Sequence, residues 1–551
     1  MVKSVSGHII DVVNERIYLG TVRFENEYIT EILEESREER EGEPYILPGF
    51  VDAHVHVESS MLAPSEFARI AVVHGTVATV SDPHEIANVL GIEGVRYMIE
   101  CGEKTPFKFA FGAPSCVPAT GFETSGAVLD PAEVEELLLD ERIRYLSEMM
   151  NYPGVIHDDP EVLAKIRIAH QLGKLIDGHA PGLRGEGLKK YVSAGITTDH
   201  ESFEYEEGKE KLELGMKLLI REGSAAKNFE ALHRLISEYP DSCMFCSDDK
   251  HPDDLVESHI DGLVRRALAQ GHDLMTVLRT ASVHPVEHYG LNVGLLRPGD
   301  PADCIEVRDL ESMQVIRTRI DGQIVAEHGK TLIESRPIEI VNNFTPRIVD
   351  IDELRVPFEG EGSRLNVIGA INGQIVTEER EGKVLVENGE VLADIEADLL
   401  KIAVVNRYQH ARPAIAFING FGFQRGAIAS SVAHDSHNIV AVGASDEELC
   451  RAINLVMKAR GGLSMVAREY EDALPLPVAG LMSDKDAYSV ASSYSRLDSN
   501  VKEKLGTTLT APYMTLSFMA LLVIPSLKLS DKGLFDGGTF RFISLFGEDA
   551  S

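Results

Sequence analysis

Between residues 49 and 290 the sequence alternates eight short strand-like runs with helical stretches. The runs are rich in β-branched and apolar residues, which is typical of buried strands. Such alternation predicts a parallel sheet, because parallel strands need a crossover that a helix supplies. Eight units over about 240 residues predict an α/β fold of the TIM (β/α)8 barrel type. The predicted strands are Phe50–His56, Thr76–Asp82, Phe107–Ala113, Ile143–Glu148, Lys174–His179, Ile196–His200, Met216–Arg221 and Ser242–Asp248.

The segments that flank this barrel predict two further domains. Residues 1–48 and 291–340 both contain short strand-like runs, and each segment is too small to bury a core alone. We therefore expect one small β-domain, split by the insertion of the barrel at 49–290. From 341 to 551 the pattern predicts an additional C-terminal α/β domain. Within it, Ser445 to Glu448 has the spacing of a capping box that opens a helix through about Met457.

Composition limits the classes of partner. The chain of 551 residues carries a formal charge of −35, which repels phosphate backbones and anionic lipid, so we expect no nucleic acid and no membrane partner. The start lacks the apolar core of a signal peptide, and the longest apolar run is too short to cross a bilayer. Six scattered cysteines predict no disulfide framework. These features predict a cytoplasmic location.

Residue types that bind metal ions stand at the ends of the predicted strands. Barrel enzymes carry their chemistry there. His54 and His56 lie two residues apart on strand 1, so both side chains point to the same side. For any one such residue a hydrogen-bonded polar role is the commoner one, but agreement at several strand ends predicts a metal site. The predicted ligands are His54, His56, Glu148, His179, His200 and Asp248.

The motifs around these residues carry a family resemblance that runs nearly end to end. They are Leu47 to His56, Ser81 to Asn88, Ser147 to Gly154, Asp177 to Gly182, Thr198 to Ser202, Cys246 to Asp249 and Ala433 to Asn438. The sequence resembles the amidohydrolase superfamily and, within it, is similar to the adenine deaminases of bacteria and archaea. Many superfamily members bridge two metals with a carbamylated lysine on strand 4, whereas this chain has Glu148 there.

The resemblance implies a two-metal site bridged by Glu148. Two divalent ions are expected. The family usually holds Mn²⁺ or Fe²⁺, and the same imidazole and carboxylate donors would accept Zn²⁺. It also implies that the split β-domain is of the composite, urease-like kind. We expect a homo-oligomer, a dimer.

The implied activity is hydrolytic deamination of adenine to hypoxanthine and ammonia in purine salvage. This is the work of a hydrolase that acts on a C–N bond in a cyclic amidine. A metal pair makes hydroxide available at neutral pH for attack on C6. We expect Asp248 to accept the hydroxide proton, and Glu85, ahead of Glu201, to contact N1 or the leaving amine. Asp249, Glu85 and His84 are the expected substrate-binding residues.

The sequence also indicates two supporting aspartates and one further polar cluster. Asp177 and Asp199 are expected to orient the histidines. His434, Asp435 and His437 form a dense polar group between two predicted strands. This group is either an additional metal site, a lid over the purine pocket or a hydrogen-bonded structural turn.

Three other functions stay open at this point. One is a metal-dependent cyclic amidohydrolase, similar to hydantoinase or dihydroorotase. Another is a deaminase of a different nucleobase. The third is a non-catalytic barrel that serves as an assembly scaffold, although such proteins typically lose metal ligands.

Overall fold

The computed structural model describes residues 2–38, 40–358 and 364–547. A few residues of the predicted first and last domains lie outside the described residues. They are residues 1, 39, 359–363 and 548–551. The first four strands are β1 (Lys3–Asp11), β2 (Arg16–Glu25), β3 (Tyr28–Ser36) and β4 (Tyr45–Leu47). β1 and β2 pair antiparallel, as do β2 and β3, while β4 runs parallel to β1.

The next eight strands are all parallel to their neighbours and form a five-stranded and a three-stranded sheet. They are β5 (Phe50–Val55), β6 (Thr76–Ser81), β7 (Lys108–Ala113), β8 (Ile143–Met149), β9 (Leu175–Gly178), β10 (Thr198–Asp199), β11 (Lys217–Arg221) and β12 (Cys243–Cys246). The predicted parallel α/β arrangement is therefore confirmed. Most of these strands are shorter than predicted, and β10 is reduced to two residues.

The two parallel sheets meet along two seams. At one seam, the Asp248 N–H donates to the His54 carbonyl (3.0 Å) and the His56 N–H donates to the Asp248 carbonyl (3.4 Å). At the other, the Thr197 N–H donates to the Ile176 carbonyl (2.9 Å). Since all eight strands run in one direction, these seams bring their carboxyl ends to one side of the molecule.

Helices follow most of these strands. They are α1 (Pro64–Ala71), α2 (His84–Leu90), α3 (Ile92–Gly102), α4 (Pro131–Leu139), α5 (Tyr152–Ile156), α6 (Pro160–Gln171), α7 (Gly185–Ser193), α8 (Tyr205–Glu213), α9 (Phe229–Leu232), α10 (Arg234–Glu238), α11 (Pro252–Glu257), α12 (Ile260–Ala269), α13 (Leu274–Ala281) and α14 (Val283–Tyr289). α4 shows the local logic: Asp130 accepts from the N–H groups of Ala132 and Glu133, and Glu133 bonds back to Asp130. This reciprocal cap satisfies donors that the first helical turn leaves free.

The chain then returns to its first sheet with β13 (Cys304–Val307), β14 (Val315–Ile320), β15 (Gln323–Glu327) and β16 (Lys330–Thr331). β13 pairs antiparallel with β4, and the resulting eight-stranded sheet has the order β16-β15-β14-β13-β4-β1-β2-β3. Segments on both sides of the inserted parallel strands thus share one sheet. Between β14 and β15, Asp321 (φ 49°) and Gly322 (φ 72°) both adopt left-handed backbone, as a two-residue type I′ hairpin requires.

The last third is built on a second eight-stranded sheet of largely antiparallel strands. The strands here are β17 (Val356–Pro357), β18 (Arg364–Ala370), β19 (Thr377–Lys383), β20 (Leu385–Glu387), β21 (Glu390–Leu392), β22 (Leu400–Val405), β23 (Ala414–Asn419), β24 (Ala427–Ser430), β25 (Ile439–Gly443), β26 (Gly462–Ala467), β27 (Tyr470–Pro475), β28 (Leu527–Ser530), β29 (Gly533–Asp536) and β30 (Arg541–Phe542). The sheet order is β19-β18-β23-β22-β25-β24-β26-β27. Its helices are α15 (Asp446–Ala459), α16 (Ala487–Leu505) and α17 (Pro512–Ser517).

Helix α15 was predicted from its cap and its apolar stripe. The Ser445 hydroxyl accepts from the Glu448 N–H (3.3 Å), as predicted. The second half of the capping box is absent, because the Glu448 carboxylate accepts from the Gly426 N–H (2.6 Å) instead. The helix thus gains a tie to the start of β24. Leu449, Ile453 and Val456 are buried on one side, which packs against the sheet.

Contacts between the last third and the parallel strands place this part over the carboxyl ends of β5 to β12. The His251 ring is hydrogen-bonded to the Tyr494 hydroxyl of α16 (2.6 Å). The Asn438 amide donates to the Thr124 carbonyl (2.8 Å), and the Thr124 N–H donates to Asp531 (2.9 Å). Among the described residues, no helix has the length and apolar content that crossing a membrane requires.

Candidate metal centre

His54, in β5, and His56, which follows β5 directly, point to the same side of the chain, as their spacing predicted. Both side chains are buried, so neither imidazole has ready access to bulk water. The Nε2 atoms of His54 and His56 lie 3.2 Å apart. The remaining nitrogen of His56, Nδ1, lies 3.1 Å from the Asp82 carbonyl oxygen, which fixes the orientation of the ring.

Asp248 joins these histidines from the other side of the seam. Its backbone is left-handed (φ 55°) and hydrogen-bonded to β5 in both directions, which directs its carboxylate toward the ring nitrogens. Its Oδ1 lies 3.5 Å from His54 Nε2 and 3.3 Å from His56 Nε2. Ligand atoms about 2.0–2.2 Å from one ion at tetrahedral angles lie roughly 3.3–3.6 Å apart. The three side chains therefore fit a single divalent ion.

Glu148, at the end of β8, links this group to a second one. Its Oε1 lies 3.3 Å from His56 Nε2. Its Oε2 lies 2.7 Å from His179 Nδ1 and 3.1 Å from His200 Nε2. One carboxylate thus offers an oxygen to each of two imidazole groups, and the six predicted ligands lie together. Imidazole and carboxylate donors suit divalent transition metals.

Arg221, at the end of β11, was not predicted for the site. Its guanidinium forms two hydrogen bonds with the Glu201 carboxylate and a third with Asp248 Oδ2 (2.5 Å). Burial disfavours a charge on Asp248, but Arg221 beside it holds the pKa of this carboxyl well below its usual range. Glu201 is thereby held in an ion pair rather than free in the cavity.

Asp82 and His84, which follow β6, also lie among the ligand side chains. His84 Nδ1 is 3.3 Å from both Asp82 Oδ2 and Glu148 Oε1. His84 was expected to contact substrate, and the structure places its Nδ1 atom against the Glu148 carboxylate. Asp82 was not among the predicted residues, although it stands directly after β6, at a strand end like the predicted ligands.

Glu85 receives both of its hydrogen bonds from the last third of the chain. His434 Nδ1 bonds to its Oε1, and His437 Nε2 bonds to its Oε2. Burial disfavours its charge, but His434 and neighbouring histidines hold the Glu85 pKa well below its usual range. Burial likewise opposes the charge on His434, and Glu85 outweighs it and raises the His434 pKa to about 9. The polar cluster in the last third therefore extends the site that contains Glu85.

Asp435 and Asp249 complete this side of the cavity. Asp435 Oδ1 lies 3.7 Å from His84 Nε2. Asp249 accepts a hydrogen bond from the Ser59 hydroxyl (2.5 Å) and lies 3.9 Å from His434 Nε2. Burial, with the charge of Asp248, raises the pKa of Asp249. Asp249 thus lines the cavity.

Among the described residues, the hydrogen bonds of Asp177 and Asp199, which were expected to orient the histidines, go to groups other than the histidine rings. Asp199 accepts from the N–H groups of Ala180 (3.0 Å) and Glu201 (3.2 Å), so it fixes the loops that carry His179 and His200 rather than their rings. Asp177 accepts from the Tyr289 hydroxyl (2.8 Å). The expected orienting role stays a prediction, since the charge of His54 acts on Asp177 and that of His200 acts on Asp199.

The cavity at the centre of these residues has a volume of about 30 Å³. The last third of the chain supplies one wall, which includes Ile375, Phe518 and Ile524. The Phe518 ring stacks on His434, with ring centres 4.6 Å apart. An apolar, aromatic wall thus faces a cluster of metal-ligand side chains. No pattern in the sequence links Phe518 or Ile375 to the site.

Comparisons with known proteins match the two parts of the chain that line this cavity. A model described as the amidohydrolase family matches residues 45–325, and a model of the adenine deaminase C-terminal domain matches residues 374–541. An adenine deaminase of Sulfurovum sp. (strain NBC37-1) is 58% identical over 97% of this chain and 98% of that protein. Adenine deaminases of Salinibacter ruber (56% identical, 98% and 99% covered) and Borreliella burgdorferi (46%, 98% and 99%) also match. The chain belongs to the adenine deaminase family of the amidohydrolases.

Proposed function

We propose that this chain hydrolyses adenine to hypoxanthine and ammonia in the cavity at the carboxyl ends of β5 to β12. The observation that carries the proposal is that both matched segments line this one cavity. Metal-ligand side chains come from the amidohydrolase segment, while His434 and Phe518 come from the adenine deaminase C-terminal segment. A cavity built from both segments favours the substrate of the adenine deaminases over the cyclic amides of related hydrolases.

The proposed architecture is a closed (β/α)8 barrel formed by β5 to β12. Backbone hydrogen bonds at both seams between the two parallel sheets support closure. Residues 1–48 and 291–340 form the composite β-domain, supported by the sheet that their strands share. Residues 341–551 form the C-terminal domain. We also propose a homodimer that serves purine salvage; light scattering of the purified chain tests its assembly.

The proposed centre holds two divalent ions. His54, His56 and Asp248 would hold one ion, His179 and His200 the other, and Glu148 would bridge them. Mn²⁺ or Fe²⁺ is favoured by the family, and the donor set also suits Zn²⁺. Divalent ions at such a site lower the pKa of bound water toward neutrality, so that a nucleophile is available at pH 7.

Asp248 and Glu85 handle protons in the proposed reaction. Arg221 keeps Asp248 ionised, so its carboxylate can accept the proton released as the nucleophile attacks C6. The Glu85–His434 pair holds a proton close to the cavity, which suits delivery to N1 or to the leaving amine. Deamination needs such a donor because ammonia leaves far more readily than amide ion.

Substrate binding falls to the remaining polar groups and the apolar wall. Asp249, with its raised pKa, can hydrogen-bond a purine ring nitrogen. Phe518 and Ile524 offer apolar surface to the purine plane. Glu201 is assigned to holding Arg221 rather than to proton transfer, since its carboxylate is already bonded twice to that guanidinium.

A substrate panel tests the proposal. Ammonia release is measured with adenine, adenosine, guanine and cytosine, and ring opening with hydantoin and dihydroorotate, using protein loaded separately with Mn²⁺, Fe²⁺ or Zn²⁺. We expect adenine to be turned over far faster than the other compounds. Turnover of a cyclic amide without turnover of adenine would identify the chain as a cyclic amidohydrolase instead.

A further inference from the structure

The cavity at the metal centre is too small for the substrate. An ordered water needs roughly 10–15 Å³ of such space, so a cavity of about 30 Å³ holds about two waters. Adenine is a fused two-ring molecule and needs several times that volume. A purine must therefore reach the centre through a neighbouring space, and a wall between the two must yield.

A second cavity of about 590 Å³ lies directly beside the first. The Met150 side chain lines both cavities. The segment 521–525 also separates them, because Leu521 and Ile524 face the metal centre whereas Val523 and Pro525 face the larger cavity. The wall between the two cavities thus consists of the segment 521–525 and the Met150 side chain. Methionine is unbranched and flexible, so its side chain can move aside at low cost.

The outer end of the larger cavity is open and aromatic. Phe122, Phe540 and Val128 line it and are 36%, 44% and 60% exposed. Phe122 and Phe540 also contact the Phe535 ring, with ring centres 4.9 and 5.8 Å apart. A fixed cluster of aromatic rings at an opening offers faces on which a flat heteroaromatic ring can stack.

We propose that the larger cavity is a vestibule that binds adenine by stacking and passes it to the metal centre past Met150. This rests on the proposed function, because adenine is its assigned occupant. The chemistry is suitable: adenine is uncharged, so the acidic chain does not repel it, and Asn151 and Thr120 line the cavity as hydrogen-bonding groups. The vestibule sets the rate of access and takes no part in the chemical step.

Blocking the vestibule after folding tests the proposal. The variant Val128→Cys is purified, loaded with Mn²⁺ and assayed before and after reaction with a bulky maleimide. We expect the label to lower kcat/KM for adenine at least about fivefold, with the bound metal unchanged. The matched control is Leu139→Cys, which is 62% exposed at the carboxyl end of α4. The natural chain, treated alike, controls for its own cysteines.

The outcomes separate this inference from the proposed function. A natural chain that does not deaminate adenine would refute the function itself. Normal adenine turnover that the label leaves unchanged, or lowers equally at Leu139→Cys, would overturn the vestibule. Met150→Ala supplies a second readout, since it removes part of the wall between the two cavities. It should raise kcat/KM for adenine in the unlabelled protein, and a loss of kcat with unchanged kcat/KM would argue against a gate.

Discussion

Glu148 is the residue on which the proposed centre depends most. Its two carboxylate oxygens lie on different imidazole groups, with Oε1 near His56 and Oε2 near His179 and His200. A buried carboxylate is costly unless charge and hydrogen bonds compensate it. Bound cations would supply that compensation, and the carboxylate would in turn hold them together.

Replacing Glu148 with glutamine should therefore remove metal and activity together. An amide retains the shape but offers one neutral oxygen in place of two charged ones. Elemental analysis of Glu148→Gln should show less metal per chain, and adenine turnover should fall by at least about 10²-fold. A variant that retains both metal and turnover would exclude Glu148 from the bridge.

Asp249 should act on substrate rather than on metal. Asp249→Asn replaces a charge-assisted hydrogen bond, which is worth about 1.5–3 kcal/mol, so KM should rise by roughly tenfold or more. Metal content should stay at the natural value. The neighbouring variant Ser59→Ala, which removes the donor to Asp249, should change KM in the same direction. Unaltered kinetics in Asp249→Asn would remove it from substrate binding.

The Glu85–His434 pair makes a prediction about pH. The folded pKa of His434 is raised to about 9, above the usual value of about 6.5. The stabilisation that this proton provides is complete below about pH 6.5 and is lost as pH rises through about 9. The same proton serves the proposed reaction, and deprotonated His434 has none to deliver. Rates of adenine turnover should therefore fall as pH rises through about 9. His434→Gln should lack this alkaline decline; an identical decline in that variant would assign it to another group.

The strand-end rule found the six proposed ligands because each one closes a run of apolar residues. The same rule could have found Asp82, which follows β6, and Arg221, which ends β11. Arginine was passed over because it is not a metal ligand type. The Glu85–His434 bond was beyond sequence reasoning, since the two residues are 349 positions apart and no local pattern encodes such a contact.

At the scale of elements, strand identity was easier to predict than strand ends. The eight parallel runs are apolar and distinct, so all were found, but β10 retains only Thr198 and Asp199 as strand. Here the Asp199 carboxylate accepts hydrogen bonds from the backbone N–H groups of Ala180 and Glu201. Side chain–backbone bonds of this kind compete with the backbone bonds of a sheet. Helix α15 could be predicted from its apolar stripe, although the Glu448 carboxylate accepts from the Gly426 N–H rather than from the backbone at the helix cap.

The stripe of α15 gives a prediction about stability. Ile453 is fully buried against the second eight-stranded sheet, so Ile453→Ala should cost about 2–5 kcal/mol of the unfolding free energy of that part. Urea unfolding followed by fluorescence or circular dichroism measures the change. Glu447→Ala on the exposed side of the same helix should change it by less than about 0.5 kcal/mol. Equal effects would show that the stripe does not support the fold.

At the scale of the whole molecule, the last third completes the site. His434 and Phe518 line the cavity, and hydrogen bonds of Tyr494, Asn438 and Asp531 tie this part to the loops of the parallel strands. Sequence patterns predicted that the part exists and is α/β, but docking depends on contacts between distant surfaces. Its role as one wall of the cavity could therefore be offered only as one of three possibilities.

Metal binding should stabilise the folded chain as a unit. A ligand that binds only the folded state at 100 times its Kd adds about 2.7 kcal/mol. Removing metal with a chelator should then lower the thermal midpoint by about 2–3 °C, as measured by scanning calorimetry. Glu148→Gln is the control, since it should bind little metal and respond little to the chelator. Equal midpoints for the natural chain with and without chelator would contradict a stabilising centre.

The most direct measurement is a metal titration read out as hypoxanthine formation. Metal-free protein receives increasing equivalents of Mn²⁺, and the rate with adenine is followed at each step. The account predicts negligible activity without metal and a rate that rises until two ions are bound per chain. Full activity in the metal-free protein, or a full centre that forms no hypoxanthine, would contradict it.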